Sequence, residues 1–203
     1  MTGNKLHTFL KIAVFLSFFI LATQSSVDPD LGWHLRYGAY FFQTGHVLRE
    51  NIVSYIWPAY QWVQASWGFD LVAYQIFSRF GFIGLSLTAG LLTLSTFLII
   101  THPSRRLSAL HMLFLALIFL ITSPPLFALG LRTPTLSTFF WALIVVLSDR
   151  MVNADIKPKT IHLFILPLVF WIWANVHGGF ALGLILLSIE WVVFGFLYIV
   201  RNI

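Results

Sequence analysis

Trp62-Val63-Gln64-Ala65-Ser66-Trp67-Gly68-Phe69-Asp70-Leu71-Val72-Ala73-Tyr74-Gln75-Ile76-Phe77-Ser78-Arg79-Phe80 is long and apolar enough to be read as a membrane crossing. Whether it crosses decides the topology of every later segment. With six other apolar runs as spans and the N-terminus in the cytoplasm, the inside holds Lys5, Lys11, Arg105, Arg106, Arg150, Lys157, Lys159 and Arg201. The outside then holds Arg36, Arg49, Arg79 and Arg132, so the split is eight against four. Making Trp62–Phe80 a seventh span leaves only Lys5, Lys11, Arg79 and Arg132 inside and inverts the split. Basic residues favour the cytoplasmic side, so the six-span arrangement is expected. Trp62–Phe80 then lies as a helix in the outer interface, with Trp62 and Trp67 at headgroup level.

The composition excludes a water-soluble domain. Of 203 residues 59% are hydrophobic and only 9% charged, and the mean hydropathy is +0.87, whereas soluble domains carry about 25% charged residues. The expectation is an all-α, polytopic membrane protein: about six transmembrane helices plus two interfacial helices in the first external loop. There is no cysteine, which rules out disulfides and cysteine-based zinc or redox sites. The net charge of +5 reports topology in such a chain, and no nucleic-acid partner is expected.

Outward from the deciding stretch, the spans fall at about 6–23, 81–101, 107–122, 134–148, 160–174 and 180–200. They form one transmembrane domain over residues 1–203, with an external loop at 25–80. Lys5 and the small residues Ala22 to Ser26 resemble a signal peptide, but no clear cleavage site is present and more spans come after it, so the first helix is read as retained. His102 to Arg106 is a basic turn, Ser123–Pro134 holds Pro124-Pro125 and Arg132, and Asp149–Lys159 is polar. The implied localisation is the cell (inner) membrane, multi-pass, with both termini cytoplasmic and the lipid bilayer as first partner.

Four of the seven acids, Asp28, Asp30, Glu50 and Asp70, fall in the first external loop. Asp28-Pro29 is a helix-start signal, the aspartate capping and the proline taking the first helical position. The helix should run to about Thr44 and stop at Gly45 in a left-handed cap. Asp30, His34 and Tyr37 then share a face, with Gly38 leaving it open. Asp30 serves either as a favourable first-turn charge or, with His34, as a general base or cation ligand.

External arginines run against the topological preference, and guanidinium pairs well with phosphate. Arg36, on the presumed active helix, and Arg132, at the mouth of the fourth span, are the phosphate candidates, while Arg79 and Arg49 suit headgroup contact. In Asn175-Val176-His177-Gly178-Gly179, the glycines make a turn. His177 there is either an interface residue beside Trp171 and Trp173 or, with Asn175, faces the site. Glu190 lies mid-span, where an ionisable group is expensive and points to function or to a polar partner.

Asp30-Leu31-Gly32-Trp33-His34-Leu35-Arg36 resembles the first external loop of oligosaccharyltransferase catalytic subunits, with the acid, aromatic, His and Arg at the same offsets. The wider pattern is similar to bacterial membrane proteins of the GT-C glycosyltransferase architecture. It comprises Asp28-Pro29-Asp30, Trp33-His34-Leu35, Gly45, Ser54-Tyr55, Trp62, Trp67, Arg132-Thr133-Pro134 and Trp173 to Phe180. The resemblance implies transfer of a sugar from a polyprenyl-phosphate donor to an acceptor on the external face. It puts Asp30 in the catalytic role with Asp28 as neighbour or substitute, and His34 beside them. Arg36 and Arg132 would stabilise the leaving phosphate.

Ser123–Pro134 has no acid, so the second metal-binding motif of oligosaccharyltransferases is missing. No metal site is assigned, and a divalent cation at Asp30 is left open. GT-C enzymes are usually longer, so the resemblance also implies a further membrane subunit or a C-terminal part beyond Ile203. The other readings are a non-catalytic binder of lipid phosphate, and a small secondary transporter using Glu190.

Overall fold

The computed structural model describes residues 3–23, 25, 28–51, 55–57, 60–61, 63–101, 108–122, 130–152 and 161–201. Ser54, Trp62, the basic turn at 102–106, Pro124-Pro125 and residues 153–160 lie outside the described residues. Within them the chain is all-helical, with seven helices: α1 (Gly3–Ala22), α2 (Leu31–Thr44), α3 (Trp67–Ile100), α4 (Ala109–Thr122), α5 (Thr133–Val152), α6 (Ile161–Ala174) and α7 (Phe180–Arg201).

The apolar runs of the sequence each become a helix, with shifts at their ends. α5 runs past Ser148, through Asp149 and Arg150, to Val152. Among the described residues, three helices hold segments long and apolar enough to cross a membrane: Lys5–Ala22, Trp67–Ile100 and Phe180–Leu197. α4 and α6 have 14 residues each, about 21 Å of helix, against a hydrocarbon core of about 30 Å.

The stretch expected to lie at the interface is helical from Trp67 rather than Trp62, with Ser66 as the flanking residue. α3 is interrupted at Gly81, where φ 59 and ψ −154 lie in a region that only glycine enters readily. Uninterrupted, 34 residues would measure about 51 Å, far more than a bilayer core. The break leaves Trp67–Phe80 and a second limb of apolar helix ending at Ile100. At the bend, Ile76 and Phe80 crowd the position a Gly84 side chain would occupy.

Three apolar clusters hold the helices together. Phe18 and Ala22 of α1 meet Phe97 of α3 and Met112 and Ala116 of α4, with Phe18 and Phe97 stacked at 4.6 Å. Leu31 of α2 packs with Phe69, Ala73, Leu85 and Ala89 of α3 and with Leu131, and Leu136 and Val176 border the cluster. Phe140 and Ile144 of α5 meet Leu166, Val169 and Trp173 of α6. Hydroxyls inside α3 are satisfied locally: Thr88, Thr93, Thr96 and Thr101 each donate to the carbonyl four residues back. That is how a helix carries hydroxyls where no water reaches.

Candidate functional site

The second cluster forms an apolar floor, and the polar residues gather around it. Leu31, Phe69, Leu131 and Val176 come from four separate stretches. Their sequence neighbours Asp28, Asp70, Arg132 and His177 are thereby brought to one end of the bundle.

Asp28 precedes α2, which begins at Leu31, two residues after the expected first position. Its Oδ1 accepts the Asp30 backbone N–H, so it organises the helix entry as a capping aspartate does. Its Oδ2 accepts from Arg132 Nε at 2.8 Å, with the Asp28 side chain 6% and Arg132 24% exposed. Arginine has five N–H donors, so this bond leaves the two terminal amino groups of Arg132 uncommitted to Asp28.

α2 ends as expected: Gly45, at φ 74, donates its N–H to Phe41 O. Gly38 does not open the helix face. A Cβ there would strike the Asp70 carbonyl and come 2.5 Å from Tyr74 Cβ, so Gly38 is where α2 presses against α3. That contact seats His34 on Asp70. His34 Nδ1 lies 2.5 Å from Asp70 Oδ1, and Gln64 Nε2 donates to Oδ2 of the same carboxylate. The Asp70 side chain is only 2% exposed. Phe69 meets the imidazole edge-on at 4.7 Å between ring centres. Nearby, burial and the Asp70 charge push the Tyr37 phenol up from its ordinary value. A crevice lined by Tyr37, Gln64, Trp67 and Asp70 opens beside this pair.

The α6–α7 turn is docked on the start of α3. The Asn175 carbonyl accepts from Gly68 N at 2.8 Å and its Oδ1 accepts from Trp67 Nε1 at 2.8 Å. Two residues on, His177 Nδ1 lies 2.6 Å from Ser137 Oγ and accepts from Gly179 N at 3.3 Å. Ser137 in turn accepts from Trp173 Nε1 at 2.8 Å. Burial, and then the charge of His34, lower the His177 pKa.

Trp173 is fully buried while Trp171 is 68% exposed. Only the latter has the exposure of an interface residue, because positions two apart face different sides of a helix.

Of the residues marked in the sequence, Asp28, His34, Arg132, Asn175 and His177 are brought together here. Asp30 is exposed at the start of α2, and its carboxylate makes no hydrogen bond or ion pair among the described residues. Arg36 is exposed and, two residues from His34, projects away from Asp70. Glu190 lies halfway along α7, half-buried, outside this group. Asp70, Gln64, Ser137 and Trp173 enter the group without having been marked as candidate site residues. Asp70 carried a signal, a lone acid in an apolar helix, where a buried charge demands a partner.

Among the described residues no three His, Asp or Glu side chains converge as a set of metal ligands. Asp28 is taken by Arg132, and Asp70 by His34 and Gln64. Among the described residues, these groups do not make a cation site. Comparison of the chain with protein-family models, curated proteins and solved structures returns no match.

Proposed function

We propose that this chain is a membrane glycosyltransferase of GT-C type, transferring a sugar from a polyprenyl-phosphate donor to an acceptor on the external face. The observation that carries the reading is the convergence at one end of Asp28, His34, Arg132 and His177. These residues come from the same stretches in which the sequence resembles that clan. The displacement is a direct one at the anomeric carbon. Asp30 deprotonates or orients the acceptor, and the terminal amino groups of Arg132 meet the leaving phosphate.

The ion pair also supports the six-span topology. If Trp67–Phe80 crossed the membrane as a separate span, Asp28 and Arg132 would lie on opposite sides. Their 2.8 Å contact is compatible with six crossings and with α2 and Trp67–Phe80 lying at the outer interface.

The test uses the full chain in its native membranes with a labelled lipid-linked sugar. Because the Asp30 carboxylate has no bond among the described residues, Asp30→Asn should insert and accumulate normally. As a first-turn charge alone, Asp30 would contribute about 0.3–1 kcal/mol. As the group that deprotonates or orients the acceptor, its loss should lower transfer by roughly 100- to 10,000-fold. Transfer at the wild-type rate in Asp30→Asn would remove Asp30 from the chemistry. Binding of polyprenyl phosphate without any transfer by the wild-type chain would establish the non-catalytic lipid-binding reading instead.

A further inference from the structure

His34 and His177 are held by different partners through the same ring atom. His34 Nδ1 faces a carboxylate oxygen, which only accepts, so Nδ1 carries the proton and Nε2 is left to take one up. His177 Nδ1 faces the Gly179 backbone N–H, which only donates. Nδ1 is therefore the acceptor, and the ring proton sits on Nε2. The Trp173 N–H bonded to Ser137 orients that hydroxyl toward His177 Nδ1, reinforcing the assignment. Gly179 is needed here, since a Cβ on it would lie 2.7 Å from Ser137 Oγ and 2.8 Å from His177 Nδ1.

The two rings belong to neighbouring parts of the site. His34 is fastened to Asp70, one turn into α3, and His177 comes two residues after Asn175, which is fastened to the first two residues of α3. One ring thus offers a lone pair and its neighbour an N–H, a pairing suited to a group that both donates and accepts. A hydroxyl is such a group.

We infer that His34 and His177, locked in opposite tautomers, form a two-point receptor for the acceptor hydroxyl, with Asp70 positioning His34. This rests on the glycosyltransferase reading. In the transfer, His34 Nε2 takes the hydroxyl proton as the oxygen bonds to the anomeric carbon. The carbon–oxygen bond to phosphate breaks, and its electron pair leaves with the polyprenyl phosphate. The imidazolium that forms is neutralised by Asp70, buried and held by Gln64. His177 Nε2–H donates to the acceptor oxygen and holds its lone pair on line. Asp30 then has the orienting role and not the proton-accepting one.

The experiment has two arms. In the first, the full chain, labelled with 15N-histidine, is placed in lipid nanodiscs at pH 8, and signals are assigned with His34→Gln and His177→Gln. His34 should carry its proton on Nδ1 and His177 on Nε2; the same tautomer in both rings would overturn the inference. Asp70→Asn should leave the His177 signals unchanged and make His34 a mixture of tautomers.

In the second arm, sugar transfer is measured in native membranes. Asp70→Asn should lower kcat by roughly 100-fold or more, with KM for the lipid donor unchanged. A wild-type kcat in Asp70→Asn would overturn the receptor while leaving the glycosyltransferase reading intact. If the wild-type chain transfers no sugar, that reading fails, and the receptor for its acceptor fails with it.

Discussion

The Asp28 carboxylate lies 2.8 Å from Arg132 Nε across 104 residues of sequence. This bond ties the stretch after the first helix to the stretch before the fifth, so both lie at the same end of the helices. The chain has no cysteine of its own. A double variant carrying Asp28→Cys and Arg132→Cys should therefore be joined by a short bifunctional thiol reagent in native membranes, while Asp28→Cys with Met151→Cys should not. Joining of the second pair and not the first would reverse the topology. Removing one partner, as in Arg132→Gln, strands a carboxylate that is only 6% exposed. The expected loss is about 1.5–3 kcal/mol, the range for hydrogen bonds to charged groups, read from unfolding in detergent.

The helix crossing at Gly38 makes a second prediction. Gly38→Ala places a methyl against the Asp70 carbonyl and Tyr74 Cβ, neither of which is a flexible end that can step aside. Overpacking of this kind costs about 1–3 kcal/mol. Gly32→Ala is the control: nothing lies within 4 Å of its Cβ, and alanine in a helix is favoured over glycine by roughly 0.5–1 kcal/mol. Thermal unfolding of the two variants should shift in opposite directions. If both are neutral, α2 does not press on α3 as described.

The third prediction concerns acid. Burial first and His34 second hold the His177 pKa below its ordinary value. The unfolded chain then binds a proton that the folded chain refuses, so stability rises with pH through this group. Its contribution is complete above the unfolded value of about 6.5 and is lost as pH falls below it toward the folded value. His177→Gln abolishes that part of the slope. The unfolding midpoint should drop less between pH 8 and pH 5 in His177→Gln than in wild type, and equal drops would mean that His177 is freely solvated.

Helix ends and breaks were legible because local chemistry sets them. Gly45 stops α2 with a positive φ, Asp28-Pro29 opens the turn into it, and Gly81 begins the second limb of α3 where the apolar span was drawn. The start at Trp67 instead of Trp62 was not: Ser66 stands directly before it as a residue type that favours helix starts, but its side chain makes no cap bond, and Trp62 and Val63 carry the apolar run further back. Long-range pairing was the larger loss. Asp30 and His34 share a helix face by spacing, yet His34 bonds Asp70, 36 residues on, because packing at Gly38 turns that face to α3. Periodicity reports which side of a helix a residue occupies and is silent on which neighbour covers it.

Asn175 has a mechanical consequence. Its backbone oxygen and its side-chain oxygen each grip one of two consecutive residues, Gly68 and Trp67, and two bonds to adjacent points resist rotation as well as separation. The α6–α7 turn and the first turn of α3 therefore travel as one rigid piece, like a strut bolted twice. A push on α7 would be delivered to Asp70, and through it to the ring of His34.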